Sequence, residues 1–284
     1  MRMLITGGLG SLGQALARAL GAEHELHLYD LPEMDITEPA SVAAAMAAVQ
    51  PELVIHCAAY TNVDGCARDP ELAFRVNAYG SQNMALACAE HDIPLVHISS
   101  NEVFGGTEPN GYREWQPMAP VNPYGESKAA AEFMVRSAWR KHYIVRFSWL
   151  FAPGGRNFIH AILKRARETG NLRVVTDEVA NPTYSEDLAE AIGQLVMTGR
   201  FGTYHLPNEG HCSRWGFAQE ILRQAGLDHV RNDPILLKEF KRDSTPPHHA
   251  ALQNNAAANL GIRLRPWQAA LADYLKNQAD PTGP

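Results

Sequence analysis

Met3-Leu-Ile-Thr6-Gly7-Gly8-Leu9-Gly10-Ser11-Leu12-Gly13 decides how this chain folds. Met3–Thr6 is a short apolar run that reads as a buried strand, and Leu12–Leu20 carries apolar residues at helical spacing. Between them the glycines at 7, 10 and 13 form GxxGxxG. A tight strand-to-helix turn needs backbone angles that glycine adopts without strain. It must also admit a pyrophosphate to the backbone, where the first N–H groups and the dipole of the helix hold the phosphates. Glycine triples are common alone; between a strand and a helix in a first βαβ unit, this one marks a dinucleotide site made of Gly7, Gly10, Ser11, Leu12 and Gly13.

The alternation continues outward from that turn. Glu25–Asp30, Leu53–Cys57, Leu95–Ser100 and Tyr143–Trp149 read as strands. Ala40–Val49, Pro70–Glu90 and Asn122–Arg140 read as helices. This rhythm predicts an α/β fold, a Rossmann-type doubly wound parallel sheet. After Trp149 the rhythm loosens. Helices are expected over Phe158–Thr169, Ser185–Thr198 and Trp215–Ala225, a short strand at Thr203–Leu206, a loop at Asp243–Ala250, and a last helix from Pro266 to Asn277 before a fraying tail. The expected organisation is a dinucleotide-binding domain at 1–150 and 184–207, with a smaller C-terminal substrate lobe at 151–183 and 208–284.

Composition narrows the function. The chain has 284 residues and a formal net charge of −6, which gives no reason to expect nucleic acid or an anionic membrane as partner. Its opening apolar stretch is too short for a signal-peptide core or a membrane span, so a cytoplasmic setting is expected. The four cysteines, Cys57, Cys66, Cys88 and Cys212, form no CxxC pair, and the twelve histidines form no HxxxH or HExxH frame; no metal is assigned.

Two further features point to redox chemistry. Asp30 ends the second strand, where a carboxylate can accept hydrogen bonds from a ribose diol and would repel a 2′-phosphate. That favours NAD(H) slightly over NADP(H); the plainer reading has Asp30 capping the turn into Leu31-Pro32. Tyr124-Gly-Glu-Ser-Lys128 is a YxxxK, whose ends share one face of a helix. A free phenol has a pKa near ~10, and a fixed ammonium beside it would lower that value. Such a phenol can donate its proton to a carbonyl oxygen as hydride arrives at carbon. Ser100, at the end of the preceding strand, is placed to hydrogen-bond the same carbonyl. The catalytic candidates are therefore Ser100, Tyr124 and Lys128, with Tyr124 and Lys128 also beside the cofactor.

Together these features resemble the extended short-chain dehydrogenase/reductase family. Finer detail is similar to its dTDP-4-dehydrorhamnose reductase branch: Cys57-Ala-Ala-Tyr-Thr-Asn-Val-Asp64, Asp69-Pro-Glu71, Val76-Asn-Ala78, Asn122-Pro-Tyr-Gly-Glu-Ser-Lys128, Arg146-Phe-Ser-Trp-Leu-Phe151, Gly155-Arg-Asn-Phe158, Asn181-Pro-Thr-Tyr184, Asp187-Leu-Ala189 and Gly202-Thr-Tyr-His-Leu206. The resemblance covers nearly the whole chain. It implies reduction of a keto group on a nucleotide-linked sugar, with Ala58, Ala59 and Tyr60 lining the cofactor. It puts Trp149, Asn157, Phe158, Pro182 and Thr183 near the sugar nucleotide, and suggests a homodimer.

Departures from the branch matter as well. Where it has Ser-Thr-Asp-Tyr-Val-Phe, this chain has Ser99-Ser100-Asn101-Glu102-Val103-Phe104. The arginine of the C-terminal loop is missing from Thr245-Pro-Pro-His-His-Ala-Ala-Leu252, where His248 or His249 could replace a lost donor, although a solvated loop histidine is the plainer reading. Nucleotide-sugar 4,6-dehydratases carry Thr-Asp-Glu at the first of these places. Asn101 cannot donate a proton with useful acidity, so water elimination should be crippled, while Glu102 could still act as a base in epimerisation. Asn101 and Glu102 therefore join the substrate-facing candidates. A third alternative is a dinucleotide-binding regulatory subunit without turnover.

Overall fold

A computed structural model describes residues 1–154 and 157–279. The chain opens as β1 (Arg2–Thr6), α1 (Ser11–Leu20), β2 (Glu25–Tyr29), α2 (Pro39–Val49) and β3 (Leu53–His56). It continues through short helices α3 (Val63–Arg68) and α4 (Pro70–Ala73), then α5 (Gly80–Glu90), β4 (Leu95–Ser100), α6 (Pro123–Ala138) and β5 (His142–Phe147). The second half runs β6 (Leu150–Phe151), α7 (Phe158–Thr169), β7 (Asn171–Val175), β8 (Val179–Ala180), β9 (Thr183–Tyr184), α8 (Ser185–Met197), β10 (Gly202–His205), β11 (Cys212–Ser213), α9 (Arg214–Gln224), β12 (Arg231–Ile235) and α10 (Trp267–Ala279).

Six strands form one sheet in the order β10-β5-β4-β3-β1-β2, and every pairing is parallel. Strands in such a sheet are buried on both faces, as Leu53-Val-Ile-His56 and Leu95-Val-His-Ile-Ser-Ser100 are, and apolar residues dominate their first halves. Helices cover both faces. Leu12, Leu16 and Leu20 of α1 pack with Leu188, Ile192 and Leu195 of α8 against one face. Val42 and Met46 of α2, Met84 and Cys88 of α5 and Val135 of α6 cover the other. The chain leaves β1 for β2 on one side and returns to β3 on the other. Strand order therefore reverses at β1, and crevices in such sheets open at the carboxyl ends of strands beside a reversal.

A second core collects Phe151, Ile159, Leu172, Phe217, Ile221, Trp267, Leu271 and Tyr274 beneath α7, α9 and α10. Three two-stranded pairings, β7 with β12, β8 with β11 and β6 with β9, frame it. The 208–284 stretch does not stay with this core: Ala257, Ile262 and Leu264 pack into the main sheet's core. Three other features differ from the sequence expectation. The helix expected over Pro70–Glu90 is interrupted by a π-helical turn at Phe74–Tyr79. β7 and β12 were not foreseen; β12 is polar and holds Pro234, which an edge position tolerates. The residues Gly155 and Arg156 of one resemblance block, and the tail 280–284, lie outside the described residues.

One buried ion pair joins the sheet to α6. Glu132 and Arg146 are 0% and 1% exposed. Arg146 Nε donates to Glu132 Oε1 at 2.7 Å and its Nη2 to Oε2 at 2.6 Å; Ser99 Oγ donates to Oε1 at 2.6 Å and Arg136 Nη2 to Oε2 at 2.7 Å. A buried charge stripped of its partner destabilises strongly, more than the intact pair stabilises. Arg146→Met is expected to lower the free energy of unfolding by about 3–5 kcal/mol. The double variant Arg146→Met/Glu132→Met should recover most of that loss. Urea denaturation checks both; equal loss in single and double variants would contradict the assignment.

Candidate active site

A cleft of about 860 Å³ lies at the carboxyl ends of the sheet strands. Its lining includes Thr6 at the end of β1, Asp30 after β2, Ala58, Ala59 and Tyr60 after β3, Ser100 at the end of β4 with Asn101 and Glu102 after it, and Trp149 after β5. Gly7, Gly10, Ser11, Leu12, Gly13, Tyr124 and Lys128 also stand on its walls. Asn157, Phe158, Pro182 and Thr183 stand behind that wall. Asn157 caps α7, its Oδ1 accepting from His160 N at 3.0 Å and its amide donating to Ala152 O and Tyr274 Oη. Phe158 stacks on Phe217. Pro182 and Thr183 are buried, and Thr183 N donates to Trp149 O at 3.2 Å.

The glycine loop has the form a phosphate needs. A Cβ on Gly13 would stand 2.4 Å from Gly7 O, so α1 can rest on the loop only with glycine there. Gly10 is the N-cap of α1 and offers no side chain to its first amides, and no acid sits in the first turn. Those amides therefore face the cleft as free donors, which fits a dinucleotide pyrophosphate. Asp30 caps the turn into Leu31, as the plainer reading has it. It lines the cleft, and its carboxylate accepts from Leu9 N at 3.1 Å and from Leu31 N at 3.0 Å.

Helix α6 carries Tyr124, Lys128 and Glu132 on one face. Asn122 caps it, its Oδ1 accepting from Gly125 N at 2.8 Å, and Pro123 follows in its first turn. A Cβ on Gly125 would lie 2.2 Å from Glu102 O; glycine is what allows the first turn of α6 to press against the 101–103 turn. Asn77, on the π-helical turn, ties the cofactor wall to α6. It accepts from Tyr60 N at 2.7 Å and donates to Ser127 Oγ at 2.9 Å.

The sequence reading has the Lys128 ammonium acidifying the Tyr124 phenol, and the structure shows another balance. Burial pushes the phenol above its ordinary value, the Glu102 charge adds to that, and a hydrogen bond from the Ser100 hydroxyl opposes it. Lys128 instead donates to Ile98 O at 2.6 Å, and burial lowers its amine to about 8 against the pull of Glu132. Tyr124 is therefore protonated at neutral pH. Burial raises the Glu102 carboxyl to about 7, although Asn122 Nδ2 donates to it at 2.7 Å.

Two residues that sequence reasoning passed over, or only half read, stand out. Trp149 has φ +44°, a left-handed backbone that a bulky residue adopts only when its surroundings force it. Arg214, not singled out by any motif, lines the cleft with its guanidinium carbon 3.7 Å from the Trp149 ring centre. Neither His248 nor His249 lines the cleft; His248 Nδ1 bonds Asp177 O at 2.9 Å. Among the described residues no cluster of His, Cys, Asp or Glu is placed to hold a metal ion, and no helix is long and apolar enough to cross a membrane.

The model of the RmlD substrate binding domain family matches residues 1–279. The chain belongs to that family. A spore coat polysaccharide biosynthesis protein, SpsK, of Bacillus subtilis is 35% identical over 279 residues, covering 98% of each chain. A dTDP-4-dehydrorhamnose reductase of Mycobacterium tuberculosis is 36% identical over 289 residues, covering 99% of this chain and 94% of that one. The crystal structure of a Bacillus anthracis dTDP-4-dehydrorhamnose reductase in complex with NADP superposes with a TM-score of 0.94 at 35% identity, covering 97% of this chain and 99% of that one.

The raised Glu102 carboxyl has a signed consequence for stability. Between its ordinary value of 4.5 and about 7, the folded protein keeps a proton that the unfolded chain has lost. Stability contributed by the protonated form is thus present at low pH and falls as pH rises through this window. From pH 5 to pH 8 wild type should lose more stability than Glu102→Gln in urea denaturation; parallel pH profiles would count against the raised carboxyl.

Proposed function

We propose that this protein reduces a keto group on a sugar carried by a nucleoside diphosphate, as a 4-ketoreductase of the dTDP-4-dehydrorhamnose reductase kind that uses NAD(P)H. The observation that carries this reading is the single cleft, which joins the glycine loop at one end to Ser100, Tyr124 and Lys128 at the other. The names of the Mycobacterium tuberculosis and Bacillus anthracis relatives support the same substrate class.

The dinucleotide is held by the first turn of α1, with Ala58, Ala59 and Tyr60 along its path. Asp30 at the ribose end tilts the choice toward NADH; a 2′-phosphate would meet its carboxylate. The reduced nicotinamide supplies the hydride. The chain supplies the proton and the orientation. Ser100 Oγ hydrogen-bonds the carbonyl oxygen, and Tyr124 Oη donates its proton to the same oxygen as negative charge develops there. A phenol held above its ordinary value is in the donor state at neutral pH. Lys128, one helical turn along, steadies the phenolate left behind and binds ribose. The sugar nucleotide sits between the sheet domain and the lobe built from about 151–183 and 208–284, with Trp149, Asn101 and Glu102 against the sugar.

A second reading rests on Glu102 alone. A cleft-lining carboxyl raised to about 7 is a competent base at a carbon beside a keto group, which would give epimerisation. Elimination of water lacks its acid, since Asn101 is an amide.

Tyr124→Phe decides the central assignment. Turnover of NADH with dTDP-4-dehydrorhamnose is expected to fall by about 100-fold or more, with the dissociation constant for NADH unchanged. Full activity in that variant would overturn Tyr124 as proton donor.

A further inference from the structure

Two well-set arginines use their whole guanidinium on the protein. Arg146 places Nε and Nη2 on Glu132 and Nη1 on Glu114 O and His205 Nε2. Arg265 places Nε and Nη2 on Asp187 and Nη1 on Asp273. Arg214 is held as firmly but only by one edge. Its Nε donates to Glu178 Oε1 at 2.9 Å, its backbone N donates to Glu178 O at 3.0 Å, and its plane rests on Trp149 and reaches toward Phe158 at 5.2 Å. Nη1 and Nη2 carry no hydrogen bond among the described residues, and the side chain lines the cleft. A structural arginine would direct those four N–H groups to carbonyls or carboxylates. Here they are left on the cleft side of a fork fixed in place.

We propose that Arg214 grips phosphate oxygens of the substrate's nucleoside diphosphate; this rests on the nucleotide-sugar reading above. A planar fork with paired N–H groups matches two phosphate oxygens at once. Its stack on Trp149 and its bond to the buried Glu178 fix the fork before substrate arrives, so little side-chain freedom is lost on binding. Other cations lining the cleft serve this role less well. Lys128 is turned to Ile98 O, and Arg75 stands exposed on the π-helical turn. The glycine loop, at the opposite end, is the dinucleotide's own phosphate site. Trp149 thus supports Arg214 from beneath, which gives its strained backbone a purpose: it aims the indole at the guanidinium.

The test is calorimetric binding of dTDP to the full chain in the presence of NADH. Arg214→Gln leaves Glu178 buried without a partner, so it is compared with Arg214→Gln/Glu178→Gln, which restores neutrality. Both variants should bind dTDP about 10- to 100-fold more weakly than wild type, with the NADH dissociation constant unchanged. Arg214→Lys, with charge but no fork, should fall between. Equal dTDP affinity in wild type and the double variant would overturn the role of Arg214 and leave the ketoreductase reading standing. A wild type that binds NADH but no dTDP would overturn both.

Discussion

The ion pair between Glu132 and Arg146 sets the geometry on which the cleft depends. Glu132 stands on α6 one and two helical turns beyond Lys128 and Tyr124, and Arg146 is on β5, the neighbour of β4. Ser99 donates to the same carboxylate, and Ser100 follows it at the end of β4. Helix α6 and strands β4 and β5 are thus tied to one buried carboxylate, whose value is held low by Arg146 despite burial. Charges so placed repay their desolvation only when every lone pair is met. Here both oxygens accept two bonds each, so the arrangement is rigid as well as costly to break.

The two ends of the cleft are built on different principles. The glycine-loop end is made of backbone: a glycine loop, uncapped amides and one carboxylate. It tolerates no side chains where the ligand must approach. At the substrate end, side chains are fixed by one another: Arg214 by Glu178 and Trp149, and Glu102 by Asn122, which also donates to Thr245 O. Tyr124 sits where the two ends meet, linked to the first through Asn77 and Ser127 and to the second through the charge of Glu102.

Periodicity made the sheet legible. Met3–Ile5 of β1, Leu53–Ile55 of β3 and Leu95–Val96 of β4 are buried apolar runs, and α7 matches its sequence reading from Phe158 to Thr169. Short or polar elements escaped: α3 spans one and a half turns, and β12 is held by pairing with β7 rather than by its own composition. At the site, residues within local motifs were found because their spacing follows from a single turn or helix. Arg214 was not, because its meaning comes from Glu178 and Trp149, distant in sequence and joined only by the fold. Asn157, Phe158, Pro182 and Thr183 were expected at the sugar. Thr183 bonds Trp149 O, but none of the four lines the cleft. The effect of Lys128 on Tyr124 was also beyond a motif's reach, since burial and the Ile98 carbonyl outweigh spacing.

The most direct test follows the hydrogen itself. The enzyme is incubated with dTDP-4-dehydrorhamnose and NADH deuterated at the nicotinamide carbon that gives up hydride, and the sugar product is examined by mass spectrometry and NMR. The account predicts one deuterium on the former keto carbon and an equivalent amount of oxidised cofactor. A sugar that keeps its keto group and takes up solvent hydrogen at the adjacent carbon, with the cofactor unchanged, would contradict it.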